Sequence, residues 1–300
     1  MTPSWLWAAF TVFAAVGQTA RNTVQRQLTT SIGAAGSTHV RFLFGFPFAV
    51  LFLIGVTSVT HQPIPHPPGE FWLWLLLGAV TQIAGTALML LLMEERSFVV
   101  ATAYIKTEPV FVAVFGLLFL NDLLTLPMMS AIAICTAGVV FMSYAPRDRQ
   151  TGDAEGSRVA LLGLASGASF GLSAIGFRGA ILSLHLTNYV LAATFTLAAG
   201  LAVQAVLLTL YLAIRTPSVL VALMRQWRPA LFGGFMGALA SQFWFLAFAL
   251  ATAASVRTLG LVDVIFAQAV SRFVFKHHTT PREYASIGLI LAGAILLVAG

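Results

Sequence analysis

Charge is what this chain has least of. Lys, Arg, Asp and Glu together make up 9% of its 300 residues, where a soluble domain carries about a quarter. With 59% of residues hydrophobic, no aqueous fold of this size could hide the apolar surface, so a soluble globular protein is excluded. Cysteine is nearly missing as well. Cys135 stands alone inside the apolar run 127–144, which rules out an intrachain disulfide and leaves the redox compartment unreadable. It reads as a small buried hydrophobe. No Gly-rich loop ending in Lys-Ser/Thr is present, which excludes the phosphate cradle of direct ATP hydrolysis. His61 and His66 fall in a proline-rich loop and His277 and His278 in a turn, and no His/acid pair recurs at i, i+4 within a span. A metal centre is therefore not expected, and no cofactor is implied. The net charge of +6 is not a nucleic-acid signal, because the basic residues gather at helix ends, where membrane topology uses them. The opening Trp5–Val16 lacks a basic n-region and reads as a first helix, not a cleaved leader.

What the chain has is long apolar runs. A bilayer crossing needs about 20 apolar residues in helical form, and ten such runs fit: 4–21, 38–58, 71–93, 98–119, 127–144, 158–181, 188–213, 230–250, 255–275 and 282–299. Strands are excluded, since outer-membrane strands are about 10 residues of alternating pattern and these runs are apolar on all faces. The prolines between His61 and Gly69 break the chain after the second run. A second polar break runs from Arg215 to Arg228. The most charged break, Pro146–Arg158, lies at the midpoint and reads as the linker (146–157) between a first five-helix repeat, 1–145, and a second, 158–300. Sliding the second half back by 155 positions lays Asp263 on Glu108, Gly293 on Gly138 and Thr280 on Thr125 without a gap. Five spans per copy is an odd number, so the second copy is inverted relative to the first. The fold expected is an all-α membrane protein of ten transmembrane helices in two inverted repeats.

A carboxylate in a bilayer is costly and needs a partner, water or a job. Glu108 and Asp263 sit inside apolar runs at matching places in the two halves, which points to a duplicated transporter with its site at the interface of the halves. Lys106 and Glu108 are two apart, so on a helix they point about 200° away from each other, and each must find its partner elsewhere. Pro109 frees a carbonyl one turn back, which is tolerated beside water or a polar neighbour. This segment is expected to line an aqueous cavity, the rival being a structural ion pair or a snorkelling lysine. Arg257, six positions before Asp263, reads either as a helix-end anchor or as the positive partner of a carboxylate or an anionic substrate. Gln18, Arg21, Asn22 and Gln25 share one face at the end of the first span, for a cavity mouth or for interfacial anchoring. Arg178 reads best as a helix-end anchor. Gln82 and Gln242 either orient a substrate or join helices. Tyr104 and Trp244 are candidates for an apolar substrate wall. Gly233, Gly234, Gly237, Ala238 and Ser241 give the eighth span a face for close helix packing.

The 5+5 layout, Lys106-Thr107-Glu108-Pro109 in the fourth span and the glycines of the closing helices resemble the drug/metabolite transporter superfamily, specifically its EamA-type ten-helix members. The stretches Gly17-Gln18-Thr19-Ala20-Arg21-Asn22 and Thr38-His39-Val40-Arg41-Phe42-Leu43-Phe44-Gly45 look like a proteobacterial branch of that group. The resemblance implies a basket of helices around a central cavity, alternating access, export, and a place in the bacterial inner membrane. It also implies both termini inside the cell. Charge bias says otherwise: thirteen Lys and Arg fall on the side opposite the termini and two, Arg178 and Arg257, on the terminal side. By the positive-inside rule the termini are expected outside.

The function expected is therefore a secondary transporter of a small organic metabolite or toxic compound, with the lipid bilayer and the solute as its partners. Desolvation favours the neutral form of a carboxyl group, so proton antiport is open; an uncoupled facilitator or exchanger would use the same residues. An intramembrane protease built on Ser169 would need a histidine at helix depth, and His185 lies near a loop; no enzyme is expected. A non-transporting membrane partner is the other alternative. Oligomeric state is not legible.

Overall fold

The computed structural model describes residues 3–95, 105–143, 153–273 and 281–299. Every regular element among them is helical. In chain order the helices are α1 (Leu6–Leu43), α2 (Phe46–Thr60), α3 (Gly69–Glu95), α4 (Glu108–Leu120), α5 (Leu126–Ser143), α6 (Asp153–Ser183), α7 (Tyr189–Arg215), α8 (Pro217–Arg225), α9 (Trp227–Leu250), α10 (Ala253–Leu259), α11 (Asp263–Phe273) and α12 (Pro281–Ala299). Six stretches among the described residues are long and apolar enough to cross a bilayer: Ala35–Thr60, Gly69–Met89, Ala160–Ser183, Tyr189–Arg215, Trp227–Leu250 and Pro281–Ala299. Glu108–Leu120 and Leu126–Phe141 are shorter apolar helices. In lipid every backbone group must be satisfied within its own segment, which the helix does and an open strand does not.

The residues fall into two compact units, and each unit collects helices from both sequence halves. One comprises Met1–Val80 and Gly176–Ala251, the other Thr81–Ile175 and Thr252–Gly300.

In the first unit the sequence break expected over residues 22–37 is helical. α1 turns at one residue, Gly33, with φ 72° and ψ 172°, a region essentially reserved for glycine. The arms before and after it double back on each other. Gln25 Nε2 donates to the Ser37 carbonyl at 3.1 Å and Ser37 Oγ to the Gln25 carbonyl at 2.8 Å. Twelve residues of straight helix would hold those groups about 18 Å apart. Beneath the turn, Leu28, Ile32 and Val40 form a cluster with Leu223 of α8 and Ala230 of α9. The small face of α9 packs against α1 as its composition suggests. A Cβ on Gly234 would meet Phe44 at 2.5 Å, and one on Gly237 would lie 3.4 Å from the stems of both Arg21 and Arg41. Close backbone approach of this kind drives helix association where lipid removes the hydrophobic term. α2 stops at His61, in the left-handed region, ahead of the proline-rich 62–68 segment. Asn188 caps α7 by accepting from the backbone N–H groups of Val190 and Leu191.

In the second unit α5 packs on α12 through reciprocal contacts. A Cβ on Gly138 would meet Ile290 at 3.0 Å and the Ser286 carbonyl at 3.1 Å; one on Gly293 would meet Cys135 Sγ at 2.5 Å and the Ala131 carbonyl at 3.0 Å. Cys135 Sγ also donates to the Ile290 carbonyl at 3.4 Å, across a separation of 155 residues. The same separation relates 131 to 286 and 138 to 293, so each helix presents to the other what the other presents to it. That exchange is what a local two-fold axis between two helices produces.

Candidate functional site

The four charged residues singled out in the two apolar runs meet in the second unit. Within the described residues, one of the two runs has a turn just before its acid and the other tightens to a 3₁₀ turn just before its acid. A turn at Lys106 and Thr107 precedes α4, whose first residue is Glu108. Pro109 follows in the first helical turn, where its missing N–H costs nothing. In the other run α10 is capped by Thr252, whose hydroxyl accepts from the Ser255 N–H at 3.2 Å. It ends at Leu259, a 3₁₀ turn covers Gly260–Val262, and α11 starts on Asp263. Glu108 therefore opens α4, where the partial positive charge of the helix N-terminus favours a carboxylate, while Asp263 follows the 3₁₀ turn with its own N–H bonded back into that turn.

Each acid then takes a cation from the opposite half of the sequence. Lys106 Nζ donates to Asp263 Oδ1 at 2.6 Å and to Oδ2 at 2.5 Å. Arg257 Nε donates to Glu108 Oε1 at 2.6 Å. Side-chain exposure runs from 10% to 19% across the four residues, so these are buried pairs. They tie the start of α4 to the broken α10–α11 run by two charge-assisted contacts. Lys106 in the turn and Glu108 at the start of α4 reach different partners. Of the two readings of Arg257, its position against Glu108 matches the partner of a carboxylate. A buried pair adds little net stability but is expensive to break from one side.

The remaining candidates lie elsewhere. Gln82 is buried in α3 in the second unit. Gln18, Arg21, Gln242 and Trp244 belong to the first unit. There Arg21, buried, donates to Asn22 Oδ1 through Nη2 at 2.8 Å. Gln242 Nε2 donates to Thr194 Oγ1 of α7 at 2.8 Å, the helix-joining role. Trp244 is buried and stacks on Phe248. Arg178 donates to the Ala251 carbonyl at 2.9 Å, at the C-terminal cap of α9, where a cation suits the helix dipole. Tyr104 lies outside the described residues. Sequence reasoning passed over His39, fully buried in α1 with Nε2 2.8 Å from Thr209 Oγ1 of α7. Its signal was there: an ionisable residue at the start of an apolar run.

Residues 5–144 match the EamA-like transporter family. A solved structure described only as "Crystal structure of protein" aligns with a TM-score of 0.70 over 98% of this chain and 94% of that chain, at 13% identity; at that identity the likeness is one of fold. No curated protein matches the chain. Six membrane-length helices among the described residues and the match of residues 5–144 to a transporter family together indicate a multi-pass membrane protein.

Proposed function

We propose, from the premise that the chain belongs over residues 5–144 to the EamA-like transporter family, that it is a secondary transporter working by alternating access in the bacterial inner membrane. In this reading ten spans form two inverted five-helix repeats, an arrangement that the reciprocal α5–α12 contacts support. The solute is a small organic metabolite or toxic compound, carried outward. Glu108, Asp263, Lys106 and Arg257 are the working charges.

One observation carries this reading: two buried ion pairs, each joining an acid at a helix start to a base from the other half. Helices interrupted at membrane depth, with charged groups at the break, are where secondary transporters hold substrate and coupling ion. A solute charge or a proton that neutralises one carboxylate frees its cation, and the link between α4 and α10–α11 loosens. Reformation of the pair after release returns the helices to the first arrangement. Proton antiport and solute exchange both follow from this cycle, differing only in what displaces the cation.

The test is a thermal-shift screen of a solute library on the wild type, Glu108→Gln and Asp263→Asn. A solute that stabilises the wild type and neither variant supports a binding role for the acids. Solutes that stabilise all three equally remove the acids from substrate binding.

A further inference from the structure

The break between α7 and α9, read from sequence as a polar loop, is occupied by the short helix α8. At nine residues it is about 13 Å long, far less than the roughly 30 Å of a hydrocarbon core, so it cannot cross. One face is committed to the protein. Leu223 is fully buried in the cluster beneath the α1 turn, with Ala222 packed against it, and a Cβ on Gly36 would touch Val219. The opposite face is apolar and exposed among the described residues: Val221 is 55% exposed and Met224 57%, and Trp227, just beyond the helix, is 49% exposed. Arg225 ends α8, and Arg215 and Arg228 flank it in sequence, all three exposed. Arg228 lies over the Trp227 ring at 5.4 Å. No Asp or Glu occurs anywhere between Glu155 and Asp263, so the segment offers these arginines no carboxylate of its own.

We propose that the α7–α8–α9 connection is a binding surface for the headgroups of anionic phospholipids. A short helix with one face on the protein, apolar side chains outward and arginines flanking them lies in the plane of the membrane interface. Val221 and Met224 enter the upper acyl layer. Trp227 sits at headgroup depth, as interfacial tryptophans do, and its ring steadies the Arg228 guanidinium. Arg215, Arg225 and Arg228 take the lipid phosphate, for which the planar guanidinium fork is the better fit than a lysine. The occupant is an anionic phospholipid and not a soluble anion, because the apolar residues between the arginines give a soluble anion nothing to contact. The charge bias of the sequence sets this connection on the cytoplasmic side, the leaflet where anionic lipid attracts basic segments. The inference rests on the membrane placement and the charge-bias orientation and is independent of the transport reading.

The experiment titrates the full-length protein in neutral detergent with phosphatidylglycerol, phosphatidylcholine or inorganic phosphate and follows the melting temperature. Phosphatidylglycerol is expected to raise it, with the other two giving no comparable rise. Each Arg→Gln substitution at 215, 225 or 228 weakens the apparent affinity for phosphatidylglycerol by roughly five-fold. The triple variant loses the increment while melting like the wild type in phosphatidylcholine. A second measurement needs no variant: the wild-type increment shrinks as salt rises, as it must for exposed charges. An increment equal for the two lipids, reproduced by inorganic phosphate, retained by the triple variant or insensitive to salt would overturn the proposal.

Discussion

Replacing Glu108 by Gln keeps the shape of the side chain and removes its charge. Arg257, only 15% exposed at its side chain and 2.6 Å from the lost carboxylate, loses that ion pair in a largely buried site. Breaking a buried pair from one side costs about 3–5 kcal/mol. The residual exposure of the pair puts the expected loss at the lower end, about 3 kcal/mol, or roughly a hundred-fold in the folding equilibrium. Arg257→Gln should cost about as much, since it strands the carboxylate instead. The double variant removes both charges and strands neither, so it should lose no more than either single variant, about 3 kcal/mol, a coupling of at least about 3 kcal/mol. Reversible unfolding by SDS in mixed micelles, followed by tryptophan fluorescence, measures all three. Single losses that add within about 0.5 kcal/mol, the behaviour of distant sites, would refute the pairing. The same cycle on Lys106 and Asp263 should give a coupling of the same sign.

Gly33→Ala forces a side chain into a backbone region where only glycine is at ease, with open space around it. The loss is expected at about 1–3 kcal/mol, and a cost near zero in the same unfolding assay would mean the α1 turn is not built as described. Gly293→Ala places a methyl 2.5 Å from Cys135 Sγ and should destabilise by about 1–3 kcal/mol. Adding Cys135→Ala should restore part of that; no restoration would deny the α5–α12 contact. A C-terminal reporter active only in the cytoplasm should stay silent if charge bias sets the orientation, and full signal would reverse it.

Much of the site could be read from sequence because burying charge in lipid is so costly that each ionisable residue in an apolar run advertises itself. Glu108, Asp263 and Lys106 were legible for that reason, and the two-residue spacing of Lys106 and Glu108 already said that their partners lay elsewhere. The acids' partners were only half legible. Arg257 could equally have anchored a helix end, and nothing local says which cation faces which acid across 149 residues. The break at Gly260–Val262 left no mark, because Gly-Leu-Val is apolar and suits a continuous span by composition. Gly33 was hidden in a polar stretch that reads as a loop; one glycine reversing two helices is a tertiary choice, fixed by the Gln25–Ser37 bonds and the cluster beneath them. α8 was concealed by its flanking arginines, which gave a short helix the look of a polar break. The glycine-rich face of α9 was readable, since small residues on one side of a span have packing as their first use.

Exchange across a membrane tests the central claim most directly. The wild type and the Glu108→Gln and Asp263→Asn variants are reconstituted into liposomes loaded with a solute that stabilises the wild type, and uptake of the labelled solute is followed. Rapid counterflow by the wild type, and its loss in both variants at equal reconstitution and fold, is the predicted result. Equal counterflow by all three proteins would contradict it.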